Sequence, residues 1–255
     1  MADTPMYSQY MNLKDKYPDC ILLFRLSDFY EAFDEDAKTI SKVLGITLTG
    51  RGKAENRIPM AGIPHHALKQ YLPKLIKNGH KVALADQLEP AVTGKLVKRD
   101  VVKVITAGTI LDENLLREYE NNYLVVIHYD RKFRKWGLAY CDISTGEFKI
   151  NEYNSKENTL PNDLIQELYR LRPAELIINR KQYESLRHLL SKFTIQLLDS
   201  FEFDFQKSSR VLMEKLKIKS FKSFGIEKYS VGITSAGVLY KYLENTQKTE
   251  LQHIR

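Results

Sequence analysis

An aromatic residue and an acid stand two positions apart in the stretch LFRLSDFYEAF, within a chain whose net charge is +7. If this stretch is extended, Phe29 and Glu31 point to one side and Tyr30 to the other, because side chains alternate along a strand. A ring presented in this way can wedge into a base step from the minor groove, while the carboxyl group meets the exposed base edge. The alternative is that Phe29 packs in the core, as most phenylalanines do.

The carboxyl group gives such a wedge a means of discrimination. A carboxylate is unfavourable near phosphates, and it becomes favourable when a base offers a donor or when the acid takes up a proton. A paired and stacked site resists the wedge, whereas a mispaired site opens at a lower cost. An exposed Phe29 with Glu31 beside it would therefore favour mispaired sites, whereas residue type alone favours the alternative in which Phe29 packs in the core.

The charge of the chain is unevenly distributed. Residues 1–50 carry five Lys or Arg against eight Asp or Glu, whereas residues 51–103 carry eleven against four. A polyphosphate backbone would select such a basic block, although a modest excess of lysine is also typical of a solvated surface. The candidates for backbone contacts in this block are Arg51, Lys53, Arg57, Lys69, Lys95, Lys98 and Arg99.

Other classes of protein find little support in the sequence. The two cysteines, Cys20 and Cys141, are far apart and form no C-x-x-C pair, which argues against a disulfide framework or a zinc site. His65 and His66 are adjacent and point to opposite sides in an extended chain, so His66 is a phosphate contact at most. There is no phosphate-binding loop, nucleophile elbow or H-E-x-x-H motif, and we expect no enzyme. Without a signal peptide or a membrane-length apolar run, we expect a cytoplasmic protein with no membrane contact.

The hydrophobic pattern predicts two mixed α/β domains, at residues 1–112 and 122–245, joined by a short linker at residues 113–121. Residues 246–255 are expected to begin a further helical part. In the first domain, CILLFRLSDF reads as one continuous buried strand and RIPMAGIPHHAL, with two prolines and a glycine, as an irregular loop. In the second, three meander strands precede strands that alternate with helices. This order is typical of a ribonuclease-H-like fold.

A ribonuclease-H-like domain raises the alternative of a structure-specific, metal-dependent nuclease. Nucleases with this fold hold two metal ions with several converging carboxylates. Asp142 lies in the second strand, but the later strands offer only Glu175 at a strand start and Asp199 at a strand end. A third possibility is a purely structural interaction module in which Phe29 belongs to the core.

Five segments together resemble the amino-terminal domain of the bacterial MutS mismatch-repair family. They are TPMYSQY, LLFRLSDFYEAF, LTGRG, IPMAGIPHHAL and VITAGT, in the family's order and spacing. The second domain resembles the family's connector domain, and YLENTQKTELQHIR resembles the entry into its helical core. Two positions depart from the family pattern: Ser27 stands in place of the usual glycine and Ala107 in place of the usual proline.

The resemblance implies roles for particular residues. Phe29 would be the intercalating aromatic, and Glu31 the acid that hydrogen-bonds the mispaired base. Met60, within RIPMAGIP, would lie against the minor groove, and basic residues of the first domain would hold the backbone of the duplex.

The resemblance also implies parts beyond this sequence. Family members continue into a clamp and an ATP-binding domain, so we expect this chain to be an amino-terminal fragment or a natural truncation without cofactor. The full-length protein would use ATP and Mg²⁺, form a homodimer around DNA and offer its connector domain to a MutL-type partner. We expect the fragment to be monomeric and the protein to be associated with the nucleoid.

Overall fold

The computed structural model describes residues 4–52, 57–89, 97–110, 121–157 and 159–248. The chain divides into two compact units. Unit 1 is Met1–Ala107 with Thr246–Lys248, and unit 2 contains Gly108–Asn245. The predicted linker falls almost wholly on residues outside the described ranges, and the predicted domain limits therefore stay predictions.

The described residues of unit 1 form three α-helices and one six-stranded sheet. The helices are α1 (Pro5–Lys16), α2 (Asp34–Leu44) and α3 (Leu68–Lys77). The strands are β1 (Cys20–Leu26), β2 (Phe29–Phe33), β3 (Thr49–Arg51), β4 (Ile58–Pro64), β5 (Lys81–Gln87) and β6 (Arg99–Ile105). Their order is β3-β4-β2-β1-β5-β6, with β1 and β5 parallel and the other pairs antiparallel.

The predicted continuous strand CILLFRLSDF is wrong, because the chain reverses at Ser27 and Asp28. Leu26 pairs with Phe29 across this two-residue turn, so β1 and β2 form a tight hairpin. Ser27 adopts a positive φ of 48° as the first turn residue, a conformation that glycine adopts more readily than a residue with a Cβ. The consequence is that Phe29 opens a strand instead of ending one.

The predicted irregular loop at RIPMAGIPHHAL is also wrong, because most of it forms β4. Pro59 and Pro64 occupy the second and last positions of this strand, where a missing N–H disturbs the ladder least. A single 3₁₀ turn, His65–Ala67, then leads into α3.

Helix α1 packs on one face of the unit 1 sheet through aromatic residues. The Tyr10 ring lies 4.9 Å from the Phe33 ring and 5.7 Å from the Phe24 ring, both edge-on. The buried carboxylate of Asp36 accepts hydrogen bonds from Tyr10 Oη at 3.1 Å and Leu22 N at 2.9 Å. These contacts fix α1 and α2 against β1 and support the far end of β2.

Unit 2 contains a five-stranded sheet in the order β11-β10-β7-β8-β9. Its elements are β7 (Tyr123–Asp130), β8 (Lys135–Asp142), β9 (Glu147–Asn154), α4 (Asn162–Leu171), β10 (Glu175–Asn179), α5 (Arg180–Leu190), β11 (Ile195–Leu198), α6 (Phe205–Lys215) and α7 (Ser230–Gln247). The first three strands are antiparallel, and β10 is parallel to both β7 and β11.

Strand β7 is buried on both faces of this sheet, which explains its uninterrupted apolar sequence. Val125 and Ile127 face a core completed by α4 and α5, whereas Leu124 and Val126 face a core completed by α6 and α7. The strand order and directions confirm the mixed α/β prediction and are those of a ribonuclease-H-like sheet. Among the described helices, none combines the length and the apolar character needed to cross a membrane.

Candidate nucleic-acid interface

The side chains on one face of β2 become steadily less exposed along the strand. Phe29 is 46% exposed and Phe33 is 1% exposed, while the Glu31 side chain between them is 18% exposed. The gradient arises because the aromatic residues of α1 cover only the Phe33 end. Phe29 and Glu31 therefore share a face, as alternation predicts, and the structure contradicts the alternative in which Phe29 is a core residue.

Two hydrogen bonds hold the turn that presents Phe29. Arg25 Nε donates to the Ser27 carbonyl at 2.6 Å, and the His65 amide donates to the Asp28 carbonyl at 2.7 Å. The left-handed conformation of Ser27 costs about 1–2 kcal/mol for a residue with a Cβ, so these bonds stabilise a strained turn. The turn thus places the Phe29 ring at a defined point on the surface of unit 1.

The opposite face of β2 carries a polar network that the sequence did not reveal. Tyr30 Oη donates to Asp86 Oδ2 at 2.8 Å, and Arg25 Nη1 lies 3.5 Å from Asp86 Oδ1. Burial, together with the Asp86 carboxylate, raises the pKa of the Tyr30 hydroxyl. The network ties the β1–β2 hairpin to β5. In the sequence, only the alternation of side chains along a strand indicated that Tyr30 lies on the face opposite Phe29.

Glu31 occupies a pocket that depends on a neighbouring glycine. Gly62 of β4 is its cross-strand partner, and a Cβ at Gly62 would lie 3.3 Å from the Glu31 Cγ. Glu31 Oε2 is buried and has no hydrogen-bond partner among the described residues. Arg51 Nη1 of β3 lies 3.5 Å from it, close enough for an ion pair.

Burial raises the pKa of the Glu31 carboxyl group above its ordinary value, and the Arg51 guanidinium opposes this rise. Such a carboxyl group takes up a proton more readily than a solvated one, because burial penalises the charged form. Glu31 can therefore either accept a hydrogen bond or, once protonated, donate one.

The other predicted contact residues lie in several environments. The Arg51 side chain is 51% exposed, and Arg57, His66 and Lys98 are exposed. Met60 is partly buried against the core beneath α1. Lys53 and Lys95 lie outside the described residues.

The structure contradicts a surface role for Arg99. The residue is 8% exposed, and its guanidinium donates to the carbonyls of Arg25 at 2.6 Å and Val97 at 2.9 Å. It also lies over the Phe24 ring, 5.1 Å from its centre. Because the guanidinium makes these internal contacts, the prediction that Arg99 contacts a DNA phosphate is wrong.

The described carboxylates of unit 2 do not form a metal site. Asp142 is fully buried, and its oxygens accept from Asn122 N at 3.1 Å, Ser144 N at 2.8 Å and Ser144 Oγ at 2.6 Å. Its side chain thus stabilises the turn between β8 and β9.

The two possible partners of Asp142 have other roles. Glu175 accepts from Gly108 N at 3.0 Å and Tyr242 Oη at 2.6 Å, and β7 separates it from the strand of Asp142. Asp199 follows the far end of β11 and pairs with Arg180. Within the described ranges, no group of three His, Cys, Asp or Glu side chains could hold a metal ion, and the nuclease alternative is not supported.

Comparisons with known proteins agree with this arrangement. The family model for MutS domain I matches residues 4–114, and that for MutS domain II matches residues 122–255. The relatives named DNA mismatch repair protein MutS include one from Salinibacter ruber, which is 39% identical over 99% of this chain and 28% of that protein.

Two further relatives of the same name show a similar degree of identity. The protein from Chlorobium limicola is 41% identical over 98% of this chain and 29% of its own length. The protein from Syntrophomonas wolfei is 40% identical over the whole chain and 30% of its own length. The chain thus spans less than a third of the length of these relatives. By both domain matches and by these identities, the chain belongs to the MutS family and carries its domains I and II.

Proposed function

We propose that this chain recognises mispaired or unpaired bases in duplex DNA and so serves the first step of mismatch repair. Phe29 inserts between base pairs from the minor groove, Glu31 contacts the displaced base, and the duplex kinks at that point. The observation that carries the proposal is the pairing of an exposed ring with a half-buried carboxyl group on one face of β2. Membership of the MutS family supports it.

The Phe29 ring supplies the energy of insertion. Stacking of a base on an aromatic side chain contributes about 1–3 kcal/mol, and opening a mispaired step costs less than opening a paired one. The hairpin turn holds the ring in place before DNA arrives, so little side-chain entropy is lost on insertion. The wedge therefore succeeds where the stack is already weak.

The Glu31 carboxyl group supplies the discrimination. Its raised pKa favours proton uptake, and a protonated Glu31 can donate to a base nitrogen or oxygen acceptor. On a paired duplex the charged form faces phosphates without a base partner, and it opposes binding.

The exposed cations of unit 1 complete the interface. Four of the predicted cations are exposed, and we assign them to the backbone of the duplex: Arg51, Arg57, His66 and Lys98. Lys53 and Lys95 are proposed for the same role from the sequence alone. Met60, which pairs with Phe33 at the far end of β2, is proposed to lie against the minor groove with its exposed part, and Arg99 supports the fold instead.

Activities of the whole protein extend beyond this chain. We propose that ATP with Mg²⁺ acts in a separate domain, that the whole protein encircles DNA as a homodimer, and that unit 2 receives a MutL-type partner. Unit 2 itself has a structural and docking role, without metal-dependent cleavage.

The test is the Phe29→Ala variant, compared with Phe133→Ala as a control. Both phenylalanines are 46% exposed, but Phe133 lies in unit 2. We expect Phe29→Ala to reduce the affinity for a duplex with a mismatch or one unpaired base by about 5- to 150-fold, from the loss of about 1–3 kcal/mol of stacking. Affinity for the paired duplex should change little, and Phe133→Ala should change neither.

The affinities would be measured by fluorescence anisotropy of labelled duplexes, with thermal unfolding of each variant in parallel. Equal losses for mismatched and paired duplexes would contradict the proposal. So would a mismatch preference that survives in Phe29→Ala with its unfolding transition unchanged.

A further inference from the structure

The Glu31 carboxylate has a cationic neighbour on a different strand. Arg51 ends β3, which is the edge strand of the unit 1 sheet, and its Nη1 lies 3.5 Å from Glu31 Oε2. The strand between them is β4, on which Gly62 pairs with Glu31 and Ile58 pairs with Arg51. The family roles given above for Phe29 and Glu31 do not account for this ion pair.

The pair is asymmetric in its exposure. The Arg51 side chain is 51% exposed, whereas the Glu31 side chain is 18% exposed. The arginine can therefore move into solvent at little cost, but the carboxylate cannot leave its pocket without the strand. Because the contact falls short of hydrogen-bond geometry and half of the arginine is solvated, the pair is weak enough to exchange partners.

The surroundings identify Arg51 as the cation that acts on Glu31. The strand neighbours of Glu31 are Phe24 on β1 and Gly62 on β4, and neither carries a charge. Burial and Arg51 account for the pKa of the carboxyl group, and Arg51 is the cause that lowers it. In the DNA-free chain, Arg51 therefore favours the ionised form of Glu31.

We propose that Arg51 is a specificity-determining residue that exchanges partners: it holds Glu31 in the DNA-free chain and on paired DNA, and moves to a backbone phosphate when Glu31 engages a mispaired base. This inference rests on the proposed function. On a paired duplex, the salt bridge persists and Arg51 is neutralised internally. On a mismatched duplex, the arginine is released and becomes an additional phosphate contact.

The first experiment examines the ion pair without DNA. The pKa of Glu31 would be measured by NMR of carboxyl-labelled chain for the wild type, Arg51→Gln, Arg51→Lys and Arg57→Gln. We expect the pKa to rise in Arg51→Gln, to return towards the wild-type value in Arg51→Lys and to stay unchanged in Arg57→Gln, whose side chain lies against Gly50 of β3. A Glu31 pKa that is the same in Arg51→Gln and the wild type would overturn the proposal.

The second experiment measures the salt dependence of binding to paired and mismatched duplexes. Each phosphate contact contributes about 0.9 to the steepness with which log K falls against log salt concentration, and the salt slope denotes that positive magnitude. We expect Arg51→Gln to lower the slope by about 0.9 on the mismatched duplex only. In a Glu31→Gln background, Arg51 has no internal partner, and its replacement should lower the slope on both duplexes.

Where Glu31 is intact, equal changes on the two duplexes in Arg51→Gln would show an ordinary phosphate contact and overturn the exchange, as would no change on either. If the wild-type chain shows no mismatch preference at all, the proposed function and the specificity role of Arg51 fail together. The titration without DNA would still decide whether the pair exists, so the two failures are distinguishable.

Discussion

Replacing Glu31 with glutamine should stabilise unit 1 at neutral pH, although it removes half of an ion pair. The folded chain raises the Glu31 pKa above the ordinary value of 4.5, so the folded state binds this proton more tightly than the unfolded state does. The wild type therefore loses stability as the pH rises from the ordinary pKa through the raised one. Glutamine has no such titration and avoids this loss.

The magnitude follows from the burial of the two side chains. A buried polar group without a hydrogen-bond partner costs about 1–3 kcal/mol, and more when it is charged, so an ionised Glu31 Oε2 costs more than the neutral amide that replaces it. The opposing ion pair offers less than about 1 kcal/mol, because the Arg51 side chain is half-exposed. We expect Glu31→Gln to raise the free energy of unfolding of unit 1 by about 1 kcal/mol near pH 7, and by almost nothing below pH 4.5.

The assay must distinguish the two units. The single tryptophan, Trp136, is buried in unit 2, so its fluorescence follows the unfolding of that unit and should not differ between the proteins. Amide hydrogen exchange of β1 and β2 would report on unit 1 at several pH values. A stability difference between Glu31→Gln and the wild type that is the same at low and neutral pH would refute the reasoning, as would a destabilised variant at pH 7.

Two further predictions separate structural from DNA-binding residues. Asp142→Asn should lower the free energy of unfolding of unit 2, followed by Trp136 fluorescence, by about 1–3 kcal/mol through weakened turn hydrogen bonds; a Mg²⁺-dependent cleavage of mismatched DNA that disappears in this variant would contradict us. Lys98→Gln should leave thermal unfolding unchanged and lower the salt slope by about 0.9 on paired and mismatched duplexes alike. Arg99→Gln should instead lower the melting temperature of unit 1, and an unchanged melting temperature would contradict the buried network around it.

The orientation of Phe29 and Glu31 could be predicted from sequence because it depends only on the period of an extended chain. The exposure of Phe29 could not, because it depends on where the aromatic residues of α1 stop covering the sheet. The order of helices and strands in unit 2 was predictable for a similar reason: long apolar runs separated by amphipathic helices leave few alternatives.

The wrong predictions in unit 1 arose at residues whose types usually indicate a different local structure. A turn at Ser27 was missed because a positive φ in a turn is usually adopted by glycine. Strand β4 was missed because prolines normally argue against strands, and here they lie near its ends. Arg99 was assigned to the surface because of its charge. Along β6, Arg99 and Val101 lie on the buried side of the strand and Asp100 between them is exposed, so the two-residue period of the strand could have revealed that Arg99 is buried.

The two-residue turn before Phe29 makes this region sensitive to chain length more than to composition. A serine is accepted at φ 48°, so substitutions at the turn cost stability but leave the strand in place. One residue inserted between Phe29 and Glu31 would instead send the two side chains to opposite faces of the sheet. Over evolution, the turn residues Ser27 and Asp28 should therefore change identity more readily than the segment between Leu26 and Phe33 changes length.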